Sequence, residues 1–400
     1  MGGMMDSRRP PERIYLDHAA TTAVREEVLE AMRPFFAEQF GNASSLHAEG
    51  RESRSALEEA RDSIRHALEA QDFDLVFTSG GTEADNLAFF GSLLGAHRGE
   101  PKGKGLRGHV ITTAIEHPAI VNLLPLLEDL GVEVTLLDAD RDCGVDPARL
   151  EAALRRDTVL ASVMWANNET GRIEPILEAG RVARRRGALF HTDAIQVLGK
   201  LPLSLKNLPV DLVTVSSHKI HGPKGIAGLL IRKGAPLQPL LRGGSQEMGL
   251  RAGTENVPLA VGFARAVKLA EEEREQLMPR LARLRDLMRA EIRRRFPAAV
   301  LNTPETGVLP TFLNVSFPGV EGESLVQLLD WFGVAASTGS ACNVGAKKLS
   351  HVLRAMGRND LEIRGSLRVS LGRENSEKDL EPFLAALERA IRQLEAIAPR

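Results

Sequence analysis

The chain has 400 residues, more than one hydrophobic core usually serves, so two domains are expected. It is 43% hydrophobic and 26% charged, a globular composition, and its formal net charge of -2 gives no drive toward nucleic acid or an anionic membrane. Residues 1–13, MGGMMDSRRPPER, carry charge but no apolar run; they read as a flexible tail and not as a secretory signal. No window approaches the roughly 18 continuous apolar residues of a membrane span. Cys143 and Cys342 are the only cysteines, and neither belongs to a CxxC. A zinc site or a self-contained iron–sulfur site is therefore not indicated by the cysteines, and usage this sparse suits a reducing cytoplasm.

Ile14 to Thr22 is a short apolar segment ending in small and hydroxyl residues, and Val24 to Phe36 has helical spacing. Gly41 to Gly50 is a turn-rich loop. In Arg51 to Ala70, Leu57, Ala60, Ile64 and Leu68 share one face, which predicts an amphipathic helix. A strand over Asp74 to Thr78 runs into SGGTEADN and a helix reaching about Gly95. Gly80 and Gly81 permit a tight turn, and Thr82 with Asp85 has a variant of the capping-box spacing. Free N–H groups at that helix start suit a phosphate, although such turns commonly serve capping alone. Gly99 to Gly108 reads as a basic surface loop. HVITTAI ends in Glu116-His117-Pro118, and after a helix and the strand VEVTLLDAD, Cys143 falls in a polar turn with no expected role.

TVLASVMW ends in Asn167-Asn168-Glu169, a helix covers Ile176 to Arg186, ALFHTDAIQ ends at Asp193 and Gln196, and DLVTVSS leads to His218-Lys219. Apolar strands alternating with helices indicate an α/β fold whose mainly parallel sheet is buried on both faces. Strands ending near Thr78, His117, Asn168, Asp193 and Ser216 put polar residues on one rim, where open α/β sheets bind ligands. After the strand GLLIRK, the glycine-rich stretch Leu240 to Asn256 presents Arg251 and Thr254. A long helix follows over Leu259 to Arg295, which Pro279 should kink or split. The domain boundary is placed on it. Residues 14–262 form the large domain, with 14–30 expected against the small one, and residues 263–400 form a smaller α+β domain. The latter holds a strand over Pro310 to Phe317, a helix from Gly322, and Cys342 among small residues. A short helix capped by Ser350, a strand presenting Arg368, and a final helix starting at Ser376 and Asp379 complete it.

A lysine at a strand end can form a Schiff base with a carbonyl cofactor, and an acid at another strand end can pair with a pyridinium nitrogen. Lys219 and Asp193 fit these roles; their plain alternatives are a solvated loop lysine and a strand-end cap. Thr82, Ser216 and His218 offer phosphate donors. His117, with an ordinary pKa near neutrality, could stack on a ring and move protons. Asn168 and Gln196 could hold substrate or ring oxygens, or only neighbouring backbone.

Taken in order, YLDHAATT, GNASSLH, SGGTEADN, EHPA, NNETG, HTDAIQVLGK, SSHKIHGPKG, RAGTEN, VEGESL, STGSAC, SHVLRAMG and SLRVSLGR resemble segments of the cysteine desulfurases. These are pyridoxal phosphate enzymes of the fold-type-I, class V aminotransferase group, and the likeness runs from Ile14 to Arg373. It implies that Lys219 bonds the cofactor, Asp193 pairs with its ring nitrogen, His117 stacks on the ring and Gln196 contacts the ring hydroxyl. Thr82, Ser216 and His218, with Gly81 in the turn, would bind phosphate. Thr254 resembles a threonine donated to the phosphate by the other subunit, which implies a homodimer. Asn168 and Arg368 resemble the residues that hold the substrate carboxylate.

Cys342 resembles the catalytic cysteine, and it is also a candidate transient ligand to an iron–sulfur cluster. A thiolate is the reactive form, and small neighbours permit motion. The implied reaction converts L-cysteine to L-alanine and a persulfide on Cys342, for delivery to an iron–sulfur scaffold or a thiolation acceptor in the cytoplasm. The length after Cys342 resembles the long-loop branch, which feeds a scaffold directly. Selenocysteine lyase, another class V aminotransferase or lyase, and an idle partner in a sulfur relay are the alternatives. GNASS has alanine where proline is usual, HAATTA lacks the usual following proline, and residues 99–108 look like an insertion.

Overall fold

Strands buried on both faces need apolar side chains without alternation, and LVTVS at Leu212–Ser216 is buried at every position. The computed structural model describes residues 13–97, 106–339 and 349–397. Its strands are β1 (Ile14–Tyr15), β2 (Phe73–Thr78), β3 (His109–Thr113), β4 (Glu133–Leu137), β5 (Thr158–Ser162) and β6 (Leu189–Asp193), then β7 (Leu212–Ser216), β8 (Ala227–Arg232), β9 (Val300–Leu301), β10 (Phe312–Ser316), β11 (Val334–Ala335) and β12 (Ser366–Ser370). Seven form one sheet in the order β2-β8-β7-β6-β5-β3-β4. β4, β3, β5, β6 and β7 are parallel, and β8 is antiparallel to both β7 and β2. β2 therefore runs in the same sense as β7, and the strand ends that feed the site share one rim.

Helices cover both faces of this sheet, as expected. The helix Gly81–Ala96 is buried on most sides, including Ala84, Asp85, Leu87, Ala88 and Phe89. The Thr82–Asp85 capping box does not form. Gly80 is the N-cap and gives no side-chain cap. Asp85 is fully buried instead, and Glu83 Oε2 accepts from Ser79 N at 2.8 Å and Ser79 Oγ at 2.5 Å.

The helix Val257–Arg295 runs unbroken through Pro279 for 39 residues. A proline removes one helical hydrogen bond, but both flanks are anchored by packing. Phe263, Val267 and Leu269 belong to one hydrophobic cluster, and Leu281, Leu284, Met288 and Ile292 to another. The second cluster packs on the antiparallel sheet β12-β10-β9 and the helices Gly322–Trp331 and Leu380–Ile397. β1 pairs in parallel with β11, and Asp17 bridges to Ser370, which joins the N-terminal segment to this second sheet.

The turn holding Cys143 points its sulfur inward, where the Thr170 hydroxyl bonds it. Cys143 is completely buried, with φ of +64°, and burial pushes its thiol far above the ordinary range, leaving it inert at neutral pH. Among the described residues, no helix is long and apolar enough to cross a membrane.

Candidate active site

β6 and β7 end side by side, with Asp193 in register with Thr214. The chain leaves β7 in a single 3-10 turn, Ser217–Lys219, which brings Lys219 back over the rim. Lys219 is not a solvated loop lysine: its Nζ donates to Ala19 O at 2.5 Å and Ala20 O at 2.6 Å. Asp193 Oδ1 accepts from Ile195 N at 2.8 Å. Burial pushes the Asp193 carboxyl up to about 6, while the Ile195 N–H and the Lys219 charge pull it down. A buried acid so placed is best satisfied by a cation that enters the cavity.

His117 caps the turn that starts at Pro118, its Nδ1 accepting from Ala119 N at 3.1 Å. Burial first, then the Lys219 charge, pushes its imidazole down to about 4, so it is neutral at pH 7. Its neighbour Glu116 is buried and pushed up to about 8 by desolvation, although Met164 N and Thr113 Oγ1 donate to it at 2.8 and 2.9 Å. His218 Nδ1 meets Thr21 Oγ1 at 3.2 Å, and burial followed by the Lys219 charge lowers its pKa to about 4.

Arg368 comes from β12 in the other sheet. It is 3% exposed and donates to Asn168 O at 2.8 Å and Asp17 Oδ1 at 2.8 Å. A cavity of about 310 Å³ unites Gly81, Thr82, His117, Asn168, Asp193, Gln196, His218, Lys219 and Arg368. A Cβ on Gly81 would sit 2.3 Å from Ile195 Cδ1, so a larger residue there would have to displace the tip of the Ile195 side chain. Ser216 is buried just outside this lining, and Thr254 is exposed and also outside it. Cys342 lies outside the described residues, as does most of the basic stretch 99–108.

The class-V aminotransferase family model matches residues 14–383. The chain belongs to this family. Within it, the chain is 46% identical over 386 residues to cysteine desulfurase IscS of Dictyoglomus turgidum, covering 96% of each chain. A solved structure described as a NifS-like protein matches with a TM-score of 0.87 at 36% identity, over 96% of this chain and 100% of that one. A structure of SspA in complex with cysteine matches with a TM-score of 0.77 at 33% identity, over 90% and 99%. These likenesses place the chain among the cysteine desulfurases of the class-V family, fold-type-I enzymes that in general use pyridoxal phosphate.

The residues of this class-V enzyme fit that cofactor. Asn168 Oδ1, Gln196 Oε1 and Ser216 Oγ are buried and have no hydrogen-bond partner among the described residues. Buried polar atoms are normally satisfied, and these three surround or adjoin a cavity that already presents an amine and a carboxylate. The start of the helix Gly81–Ala96, at Gly81 and Thr82, forms another wall and offers N–H groups to a phosphate.

Two buried groups escaped sequence reasoning. Asp85 lines the cavity, and burial together with the Asp193 charge raises its carboxyl pKa. An acid in the middle of a helix that is apolar on most sides was the available signal. Lys200 donates to Gln196 O at 3.0 Å and is pushed down to about 7 by burial and by Lys219. Nothing local marks it, because its burial comes from distant elements.

Proposed function

We propose that the protein is a pyridoxal phosphate-dependent cysteine desulfurase that converts L-cysteine to L-alanine and leaves the sulfur as a persulfide on Cys342. The observation that carries this reading is the single cavity containing Lys219, Asp193, His117 and Arg368, in a chain nearly half identical to a cysteine desulfurase. When bound, pyridoxal phosphate supplies an electron sink for negative charge at the substrate α-carbon.

Lys219 Nζ would hold the cofactor and then, once free, move a proton at the substrate α-carbon. Neutral His117 would stack on the ring and share that proton traffic. The Asp193 carboxylate would keep the ring nitrogen protonated. Gly81, Thr82, Ser216 and His218 would bind the phosphate, and Gln196, whose Oε1 has no hydrogen-bond partner among the described residues, would contact the ring hydroxyl. Arg368 would grip the substrate carboxylate with two parallel hydrogen bonds, helped by Asn168. Cys342 thiolate would attack the substrate sulfur. The new S–S bond forms as the substrate Cβ–S bond breaks, the electron pair of that bond stays with the carbon skeleton, and a proton completes alanine.

The same reading includes a homodimer in which the exposed Thr254 serves the partner copy's phosphate. It includes delivery of sulfur in the cytoplasm to an iron–sulfur scaffold, as in the long-loop branch, or to a thiolation acceptor. It divides the chain into residues 14–262 and 263–400. Two hydrophobic clusters along the helix Val257–Arg295 support a two-part division, but the change from one to the other falls between Leu269 and Leu281, and Val352, Leu353 and Met356 pack back into the first cluster.

The test is mass spectrometry of the holoenzyme mixed with L-cysteine. One added sulfur on Cys342, none on Cys143, and alanine in solution are expected. Undiminished alanine formation by Cys342→Ser would overturn the persulfide step, and a much faster rate on selenocysteine in that variant would favour a selenocysteine lyase.

A further inference from the structure

A second, narrower cavity of about 50 Å³ also has Lys219 in its wall, together with His18 and His221. Three segments remote in sequence meet there: the N-terminal segment at His18, the loop two residues past Lys219 at His221, and the turn after β12 at Glu374. One potential ligand atom from each of these side chains lies within 4.8 Å of the other two.

His18 is 6% exposed, and neither of its ring nitrogens has a hydrogen-bond partner among the described residues. The Tyr15 backbone lies close enough to influence the ring electrostatically but does not meet hydrogen-bond geometry. Buried imidazoles normally satisfy at least one nitrogen, so this ring is poised for something absent from its hydrogen-bond shell. Gly372 leaves it room, since a Cβ there would sit 2.2 Å from His18 Nδ1. His221 is held at φ +63°. Its N–H donates to Thr22 Oγ1 at 2.7 Å, and its Nδ1 lies 3.0 Å from Ala23 O. A carbonyl partner on one ring nitrogen is the usual way a metal-binding histidine is oriented. Glu374 Oε1 lies 4.0 Å from His221 Nδ1, and its side chain is 55% exposed and free to move.

We propose that His18, His221 and Glu374 form a binding site for a first-row divalent cation, with Zn²⁺ the best match. Two imidazoles and a carboxylate are a zinc donor set that leaves a fourth position for water. Zinc–ligand distances of about 2.0–2.2 Å put tetrahedral ligand atoms roughly 3.4 Å apart, so the side chains close by about an ångström on binding. Arg25 and Arg373 are nearby, but each is bonded to Glu273, at 2.7 and 3.4 Å, which offsets their charge locally. Lys200 and Lys219, both in the cavity wall, are the remaining opposing cations there. A bound ion would cross-link the N-terminal segment, the Lys219 loop and the strand that carries Arg368.

The experiment uses untagged holoenzyme carrying Cys342→Ser, because a thiol at 342 would itself bind zinc. After equilibration with Zn²⁺ and removal of excess, metal analysis should find about one ion per chain, and the thermal unfolding midpoint should rise with zinc concentration. Glu374→Gln and His221→Asn on the same background should each weaken zinc binding by at least about tenfold. Asparagine is chosen because it tolerates positive φ, and the cofactor absorption of each variant reports that it has folded. Absence of zinc uptake, or uptake unchanged in both variants, would overturn the site. Neither result bears on the sulfur chemistry, since the background lacks Cys342.

Discussion

Lys219 is held by two backbone carbonyls, Ala19 O and Ala20 O, and among the described residues lining the cavity it is the one primary amine. Lys219→Ala should lower alanine formation by roughly 10²–10⁴-fold and remove the absorption of covalently held cofactor, both readable on the purified protein. Arg368→Lys keeps a positive charge but loses the planar fork. It should raise KM for L-cysteine about 10- to 100-fold, the equivalent of one charged hydrogen bond, with a smaller change in kcat; an unchanged KM in steady-state kinetics would count against carboxylate binding. Lys219, Asp193 and His117 were legible because each is a polar residue at the end of an apolar strand, where the fold has one use for it. His18 and Lys200 were not. A histidine in HAATT or a lysine after VLG carries no local mark of burial, and the groups that bury it are supplied by other segments.

At the scale of elements, the glycine-rich stretch before the long helix is pinned from two directions. Arg61, on the helix Ala48–Ala67, bonds Glu247 at 2.8 Å with both side chains buried, and Glu247 Oε2 also accepts from Phe77 N at 2.8 Å. Arg251 bonds Glu83 at 2.8 Å, in the first turn of the helix Gly81–Ala96. Arg61→Ala leaves Glu247 buried and unpaired, which should cost about 3–5 kcal/mol in urea unfolding. Arg61→Met combined with Glu247→Gln should recover part of that loss, because no uncompensated charge remains. Helix extents were legible from spacing: the predicted helix from Gly322 and the Ser350 cap match, the latter with Leu353 N donating to Ser350 Oγ at 3.0 Å. The capping box at Thr82–Asp85 was misread because spacing alone does not tell a solvent-facing acid from one turned inward toward a sheet. A break at Pro279 was expected from chemistry that two separate cores override.

Across the whole molecule, buried ionisable groups shape the pH dependence of stability. Glu116 is pushed up to about 8 and Glu174 to about 7, chiefly by burial. The folded protein therefore binds protons there that the unfolded chain has released above its ordinary value of 4.5. These groups leave stability intact below pH 4.5 and erode it as pH rises toward 7 and 8. The buried histidines act oppositely. His117 and His218, lowered to about 4, favour the folded state above pH 6.5 and withdraw that support as pH falls toward 4. Glu116→Gln removes one carboxyl from the first set. Between pH 6 and 8, its unfolding free energy should gain on wild type by about 1.4 kcal/mol per pH unit; parallel profiles in denaturant titrations would show that Glu116 does not titrate in this range.

The helix Val257–Arg295, 39 residues long, is a rod of roughly 58 Å at about 1.5 Å per residue. One end is embedded beside the Lys219 loop and the other beneath the sheet that carries Arg368. Two bodies joined by a rod cannot swing as they would on a flexible linker; relative motion must bend the rod. The turn at Pro279 already lacks one hydrogen bond, which makes it the most compliant point and sets the axis of the bend. Flexing between the segments that carry Lys219 and Arg368, which line one cavity, should therefore be stiff and small in amplitude.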